Sequence, residues 1–253
     1  MVTSDQSRSP IHRYDAVLFD VDDTLLDFRA SEAAACRAVF DLYPVTGLPP
    51  DVVLAAFQNA NDITWDLYMQ KRITRAEVAD QTFEVLARLL PMSGHLDTHA
   101  AALAFDVAFA EQSVAEPDAS CVLASLHGWC VTGVISNHEH PAIQRRRLAT
   151  SGLAEFLDVV VISGDIGIEK PDPRIFNHTL QLLGMAAEQC LFVGDSIISD
   201  DAGARESDME FCWYRRHHVG AHAQATTAYV IDSLSELLAL LDAPSTPDLR
   251  VAG

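Results

Sequence analysis

Four acidic side chains occupy positions where two buried strands are predicted to end. Asp20 and Asp22 follow one apolar run, and Asp195 follows another, with Asp200 one helical turn further along the chain. Alternation along an extended backbone points Asp20 and Asp22 in the same direction. Carboxylates that meet at neighbouring strand ends repel one another unless a cation lies between them, and Mg²⁺ prefers such hard-oxygen ligands. The spacing therefore favours a Mg²⁺ site over the alternative of a solvated, capped turn.

A hydroxyl, an amide and a lysine follow two other predicted strands. Ser136-Asn137 ends one of them, and Lys170 precedes Pro171 in the loop after the other. Each feature alone is typical of an ordinary turn or surface loop. In an open α/β sheet, ligands bind outside the carboxyl ends of the strands, so we expect the four strand ends to share one site. A metal site, a nucleophile, an acid and a cationic clamp together indicate phosphoryl transfer.

The elements that must position these residues alternate between strands and helices. This alternation predicts an α/β fold with a doubly wound, mostly parallel sheet. Short buried runs of this kind suit a sheet that is covered on both faces. The predicted strands are 14–20, 130–136, 159–163, 190–195 and a short last strand at 229–231, and the helices that follow them cover 141–150, 173–183 and 200–206.

A stretch of almost entirely helical character separates the first strand from the second. Ala and Leu are frequent there, β-branched runs are rare, and turn signals divide the stretch into several helices. We therefore expect a helical cap domain at 30–113, inserted into an α/β core formed by 14–29 and 114–242, with tails at 1–13 and 243–253. A domain inserted at this point lies above the strand ends and can act as a lid.

The polar motifs, in this order, resemble those of the haloacid dehalogenase (HAD) superfamily, whose Rossmann-like core carries an inserted α-helical cap. Four ordered motifs are far more specific than any one of them. The resemblance covers residues 14–240, and the matching segments are Asp20-x-Asp22-x-Thr24, Ser136-Asn137, Lys170-Pro171 and Gly194-Asp195 with Asp200.

The resemblance implies a Mg²⁺-dependent phosphatase that forms an aspartyl phosphate. Asp20 is then the nucleophile, and Asp22 first protonates the leaving group and later activates water. The resemblance further implies that Asp20, the Asp22 backbone carbonyl and Asp195 hold the metal ion. It also implies that Asp200 orders the groups that surround the metal ligands.

Further residues are expected to contact the substrate. The resemblance assigns Ser136, the Asn137 amide and Lys170 to the phosphoryl oxygens. His138 stands where relatives usually carry Gly, and we expect it to contact the substrate, with a solvated or capping role as the alternative.

Two aromatic residues of the cap bear on the identity of the substrate. Trp65 and Tyr68 lie in a segment that resembles the cap of nucleoside 5′-monophosphatases of this family. We expect them to contact the substrate, since a nucleobase stacks on aromatic side chains, and ordinary packing inside the cap is the alternative. A sugar-phosphate phosphatase and a phosphomutase remain open, because the sequence does not show how far the cap excludes water.

Asp22 distinguishes a phosphatase from the dehalogenase branch of the superfamily. The dehalogenase branch typically has an Asp-x-Tyr pattern at this motif, whereas this chain has Asp20-Val-Asp22. A departing halide needs no proton, but a departing alkoxide does, so the second acid favours phosphate-ester hydrolysis. A non-catalytic binding protein of the same fold is the remaining alternative, because fold alone does not prove activity.

The charge of the chain limits its partners. With 36 Asp and Glu against 17 Lys and Arg, the net charge is −19 at pH 7, so the long-range field repels nucleic-acid polymers and anionic membranes. A small phosphate ester remains compatible, because Mg²⁺ and Lys170 make a local cationic pocket. The N-terminal residues lack an apolar signal segment, and no later run of about 18 apolar residues occurs. We therefore expect a cytoplasmic protein, and the oligomeric state stays open.

Overall fold

A six-stranded parallel sheet forms the centre of the protein in the residues that the computed structural model describes, which are 13–45, 47–90, 96–217, 227 and 229–243. Its strands are β1 (Ala16–Phe19), β2 (Val131–Ser136), β3 (Val159–Ile162), β4 (Cys190–Gly194), β5 (Glu210–Tyr214) and β6 (Tyr229–Ile231). They lie in the order β3-β2-β1-β4-β5-β6, and each adjacent pair is parallel. The predicted α/β fold class is confirmed.

Helices cover both faces of the sheet. In β1, Val17 and Phe19 point into one apolar cluster, and Ala16 and Leu18 point into another. Because both faces are buried, every position of the strand favours an apolar side chain. The first face is covered by α5 (Ala119–Leu126) and α10 (Ser235–Leu240) together with α6 (Pro141–Thr150), and the second by α8 (Pro173–Leu183) and α9 (Ala202–Glu206). A short helix, α7 (Ser163–Ile166), follows β3 directly.

Two local features differ from the sequence expectation. The strand β5 was not predicted, because no clear turn signals mark both ends of its apolar run; in the structure it pairs with β4 and β6. The helix expected from Asp200 begins instead with a π-helical turn at Ile197–Asp201, and regular α-helix starts at Ala202. Such π turns concentrate at functional sites.

The first four helices after β1 pack together as the cap: α1 (Phe28–Leu42), α2 (Pro50–Met69), α3 (Val78–Leu89) and α4 (Thr98–Glu111). The rings of Phe57, Phe83 and Phe105 meet at centroid distances of 4.9 to 6.1 Å inside their apolar core. Buried hydroxyls of Thr64 and Thr82, 2.7 Å apart, join α2 to α3. Among the described helices none has the length and apolarity to cross a membrane. The exact domain boundaries stay a prediction.

Candidate active site

A tight turn after β1 places the predicted nucleophile. The Asp20 backbone N–H donates to the Val193 carbonyl of β4 at 2.8 Å, so the sheet pairing continues one residue past β1. The chain then folds back, with the Leu26 N–H donating to the Val21 carbonyl at 2.8 Å. Asp23 adopts a positive φ of 59°, which Asp tolerates better than most residues. The turn leaves the Asp20 side chain at the edge of the sheet, with 8% of the residue exposed.

Three carboxylates and one ammonium group meet at this edge. Oxygen atoms of Asp20, Asp195 and Asp200 lie within 4.8 Å of one another. Lys170 Nζ lies 2.5 Å from Asp20 Oδ1 and 2.8 Å from Asp200 Oδ1. Glycine at position 194 permits this approach, because a Cβ there would lie 2.3 Å from Asp200 Oδ2. The fold thus brings together side chains that lie up to 180 residues apart in the chain (200 − 20).

The protein alone does not balance the charge of this cluster. Burial raises the pKa of Asp195 to about 8, and Asp200 and Asp23 add to the rise. Burial also raises the pKa of Asp20 well above its usual range, although Lys170 acts in the opposite direction. Three carboxylates that face one ammonium group leave an excess of negative charge, which a divalent cation would neutralise. The donor set is made of oxygen atoms alone, so the residues present fit Mg²⁺.

The Lys170 side chain stays cationic in this setting. Burial by itself disfavours the charged form, but Asp20 and Asp200 together outweigh it and raise the pKa of Lys170. A protonated lysine at this position is available to a phosphoryl oxygen as a fixed positive charge.

Asp22 lies beside a buried arginine that the sequence analysis did not identify. Arg147 Nη1 is 2.6 Å from Asp22 Oδ1, and Gln144 Nε2 donates to Asp22 Oδ2 at 3.1 Å. Arg147 is fully buried, and its guanidinium lies 3.9 Å from the ring centroid of Phe109 on cap helix α4. Burial raises the pKa of Asp22, but Arg147 and His138 outweigh this effect, so the net shift is downward.

A helical spacing is the signal that could have revealed these two residues. Gln144, Arg147 and Leu148 are the buried residues of α6, and they recur at the three- and four-residue intervals that define one helix face. In the run Arg145-Arg146-Arg147, only the third arginine falls on that face, whereas the other two form exposed ion pairs with Asp165 and Glu111. Composition alone makes the three arginines look equivalent.

The residues that follow β2 are held by hydrogen bonds to neighbouring loops. Ser136 Oγ accepts from Gln144 Nε2 at 2.9 Å. Both ends of the Asn137 side-chain amide contact the backbone of Lys170, with Nδ2 donating to its carbonyl at 2.9 Å and Oδ1 accepting from its N–H at 2.8 Å. The Asn137 side chain therefore positions the lysine loop. The expected contacts of Ser136 and Asn137 with phosphoryl oxygens stay predictions.

His138 lies where the cap meets the core. Its backbone N–H donates to Ser163 Oγ at 3.0 Å, and its Nδ1 accepts from the His140 backbone N–H at 3.0 Å. Since Nδ1 accepts, the neutral ring carries its proton on Nε2. The side chain lines the cavity described next, in keeping with the expected substrate contact, which stays a prediction.

A cavity of about 140 Å³ separates the cap from the core. Asp22 and His138 line it from the core, and Trp65 lines it from the cap. Tyr68 is not among the lining residues; its hydroxyl donates to Glu169 Oε1 at 3.1 Å, and Glu169 precedes Lys170 in the chain. Of the two predicted cap aromatics, only Trp65 is therefore placed to contact a leaving group inside the cavity.

A second group of titratable residues lies beside the site. Asp23, Glu116 and His217 bring ligand atoms within 4.8 Å of one another. Glu116 is fully buried, accepts from the Tyr214 hydroxyl at 2.9 Å, and pairs with Arg216 and His217. The protein itself balances the charge of Glu116, in contrast to the cluster around Asp20.

The sequence resembles known hydrolases over most of its length. The family of haloacid dehalogenase-like hydrolases matches residues 14–208. The chain is 30% identical to the pyrimidine 5′-nucleotidase YjjG of Escherichia coli over 231 residues, which cover 90% of this chain and 98% of that protein. It is 29% identical to the pyrimidine 5′-nucleotidase PynA of Streptococcus pneumoniae over 231 residues, or 90% and 95% of the two chains.

Solved structures show the same architecture. The HAD-hydrolase YfnB of Bacillus subtilis, bound to magnesium, superposes with a TM-score of 0.79 at 28% identity and covers 91% of this chain and 99% of its own. A dehalogenase structure superposes with a TM-score of 0.67 at 22% identity and covers 94% of this chain. At that identity the second likeness is one of fold alone.

Proposed function

Because the chain belongs to the haloacid dehalogenase-like hydrolase family, we propose that it hydrolyses nucleoside 5′-monophosphates with Mg²⁺, through a phosphorylated Asp20. It is a phosphatase of small phosphate monoesters. The observation that carries the proposal is the buried Asp20 carboxylate, which lies 2.5 Å from Lys170 and within 4.8 Å of two further carboxylates. A nucleophile, a cation and a metal-binding set at one strand end are what phosphoryl transfer requires.

In the first half of the reaction, an Asp20 oxygen attacks phosphorus while the bond from phosphorus to the leaving oxygen breaks. Lys170 stabilises the charge on the phosphoryl oxygens. Asp22 gives its proton to the leaving oxygen, so the nucleoside departs as a neutral alcohol. For this step the Asp22 carboxyl has to carry a proton when substrate is bound; the negative charge of the ester favours that form, whereas Arg147 lowers the pKa of Asp22.

In the second half, the ionised Asp22 takes a proton from a water molecule, whose oxygen attacks the phosphorus of the aspartyl phosphate. The bond from phosphorus to Asp20 breaks, inorganic phosphate leaves, and both carboxyl groups return to their starting states. When bound by Asp20, Asp195 and the Asp22 carbonyl, with Asp200 ordering the shell, Mg²⁺ supplies positive charge next to the phosphoryl oxygens. The magnesium of the YfnB structure supports this choice of ion.

Two observations support a nucleotide as the substrate. YjjG and PynA, which the chain matches over 98% and 95% of their lengths, are pyrimidine 5′-nucleotidases. Trp65 lines the cavity that a leaving group would occupy, and an aromatic ring stabilises a stacked base by about 1 to 3 kcal/mol. A sugar has no planar π system to stack in this way.

A panel of phosphate monoesters tests the proposal. Phosphate release from nucleoside 5′-monophosphates, sugar phosphates and p-nitrophenyl phosphate is measured with Mg²⁺ and with EDTA. We expect EDTA to abolish turnover and kcat/KM for the best nucleotide to exceed that for sugar phosphates by about 5- to 150-fold. A preference for sugar phosphates would contradict the nucleotide assignment, and no release from any ester would contradict the phosphatase itself.

A further inference from the structure

A buried carboxylate, Glu32, lies in the cap side of the cavity. It belongs to α1, its side chain is fully buried, and it pairs with Arg29 Nη1 at 3.2 Å. Its oxygens also accept hydrogen bonds from Asn61 Nδ2 at 2.8 Å and from Gln58 Nε2 at 3.2 Å. Burial of a carboxylate is costly even when the charge is paired, and an apolar side chain would fill the same space without that cost. The cost of burying Glu32 therefore indicates a role at the cavity rather than in the packing of the cap.

Glu32 determines which way the Asn61 side-chain amide points. A carboxylate only accepts hydrogen bonds, so Asn61 must present Nδ2 to Glu32. Its Oδ1 is then the atom available to a ligand. Across the part of the chain that the structure describes, no group donates a hydrogen bond to this oxygen. Asn61 thus offers a hydrogen-bond acceptor of fixed orientation.

Asn61 lies close to the aromatic residue of the proposed base site. Asn61 and Trp65 are four residues apart on α2, so they lie on the same face of the helix. Both line the cavity that Asp22 and His138 line from the core. A base that stacks on Trp65 therefore has its edge within reach of the turn of helix that carries Asn61, while its phosphate lies toward Asp20.

On the basis of the proposed nucleotidase function, we infer that Asn61 is a specificity-determining residue that accepts a hydrogen bond from an N–H at the edge of the nucleobase. Glu32 is the positioning residue that holds the Asn61 amide in this orientation. The N–H is a ring imide in uracil and thymine and an exocyclic amine in cytosine and adenine. A base methylated at that nitrogen loses the bond and places a methyl group against Asn61 Oδ1, so the site rejects it.

Methylated nucleotides test this inference. With Mg²⁺ present, kcat/KM is measured for uridine and cytidine 5′-monophosphates and for their N3-methyl and N4,N4-dimethyl derivatives. We expect the wild-type enzyme to prefer at least one parent nucleotide over its methylated partner by about 10-fold. In Asn61→Ala we expect that ratio to fall to about 2-fold or less. A loss of preference in the uridine pair would indicate recognition of the imide N–H, and a loss in the cytidine pair would indicate recognition of the amine.

Two variants separate positioning from general stability. Glu32→Gln can donate as well as accept, so the Asn61 amide is free to turn, and the preference for the parent nucleotide should fall. Gln58→Leu removes another hydrogen bond to Glu32, but Gln58 does not line the cavity, so this matched control should keep the wild-type ratio. Because each ratio compares two substrates on one enzyme, partial loss of folded protein does not change it.

The outcomes distinguish this inference from the proposed function. If nucleotides are hydrolysed and neither methylated derivative differs from its parent, or if Asn61→Ala keeps the wild-type ratio, the role of Asn61 is overturned and the nucleotidase function stands. If nucleotides are not hydrolysed while other phosphate esters are, the substrate assignment fails and the role of Asn61 fails with it.

Discussion

Removal of the metal ion is expected to destabilise the protein more at high pH than at low pH. Burial raises the pKa of Asp195 to about 8, and Asp200 and Asp23 add to the rise, whereas an unfolded aspartate has a pKa of about 3.9. The metal-free folded state therefore binds this proton more tightly than the unfolded state does. The resulting contribution to stability is fully present below about pH 4 and is lost progressively as the pH rises through about 8.

The size of the effect follows from this difference in pKa. Between the two values, each pH unit changes the free energy of unfolding by up to about 1.4 kcal/mol for one group. For a chain of 253 residues, 1 kcal/mol corresponds to about 2 to 4 °C in the unfolding midpoint. The metal-free protein should thus lose up to about 3 to 6 °C for each pH unit from this group. Because Mg²⁺ neutralises the same carboxylate, the increase in Tm that it produces should grow with pH.

Thermal unfolding followed by circular dichroism measures this effect, with Mg²⁺ or EDTA, at about pH 6 and about pH 8. Asp195→Asn should weaken the dependence of the Mg²⁺ effect on pH, and Asp20, whose pKa is also raised, should account for what remains. Asp165→Asn is the matched control, because Asp165 carries the same charge but pairs with Arg145 at 2.7 Å on the surface. A Mg²⁺-induced rise in Tm that is equal at both pH values, or larger at the lower one, would refute the reasoning.

Four substitutions give further expectations. Asp20→Asn should abolish turnover and leave the circular dichroism spectrum unchanged, because the nucleophile is lost and the fold is not; a fully active variant would contradict a covalent intermediate. Asp22→Asn should lose far more activity on nucleotides than on p-nitrophenyl phosphate, whose leaving group needs little protonation, and equal losses would count against an acid role. Trp65→Ala should lower kcat/KM for nucleotides by about 5- to 150-fold and more than for p-nitrophenyl phosphate; parallel losses would argue against stacking. Arg147→Met should lower the free energy of unfolding by about 1 to 3 kcal/mol in urea titrations, because it leaves the half-buried Asp22 carboxylate without its cation, and an unchanged free energy would show that the pair contributes little.

The residues that form the site at the strand ends could be predicted, because short sequence patterns identify them. An apolar run followed by Asp20 and Asp22 requires only that a strand ends where the carboxylates begin. A parallel sheet then brings strand ends from distant parts of the chain to one edge, whatever the loops between them do. The alternation of strands and helices predicted the α/β fold class, and the motifs at Asp20, Ser136, Lys170 and Asp195 predicted a phosphatase. Both predictions are confirmed.

The other features of the site depend on contacts between elements that are distant in the sequence. Helical spacing places Arg147 on the same face of α6 as Leu148, but only the docking of α6 against the core and α4 places this arginine beside Asp22. Likewise, Trp65 and Tyr68 share a helix. Only the placement of the cap over the sheet determines that Trp65 lines the cavity and that Tyr68 donates to Glu169. Which face of a helix meets a partner depends on how whole elements pack together, and a local sequence pattern does not specify that packing.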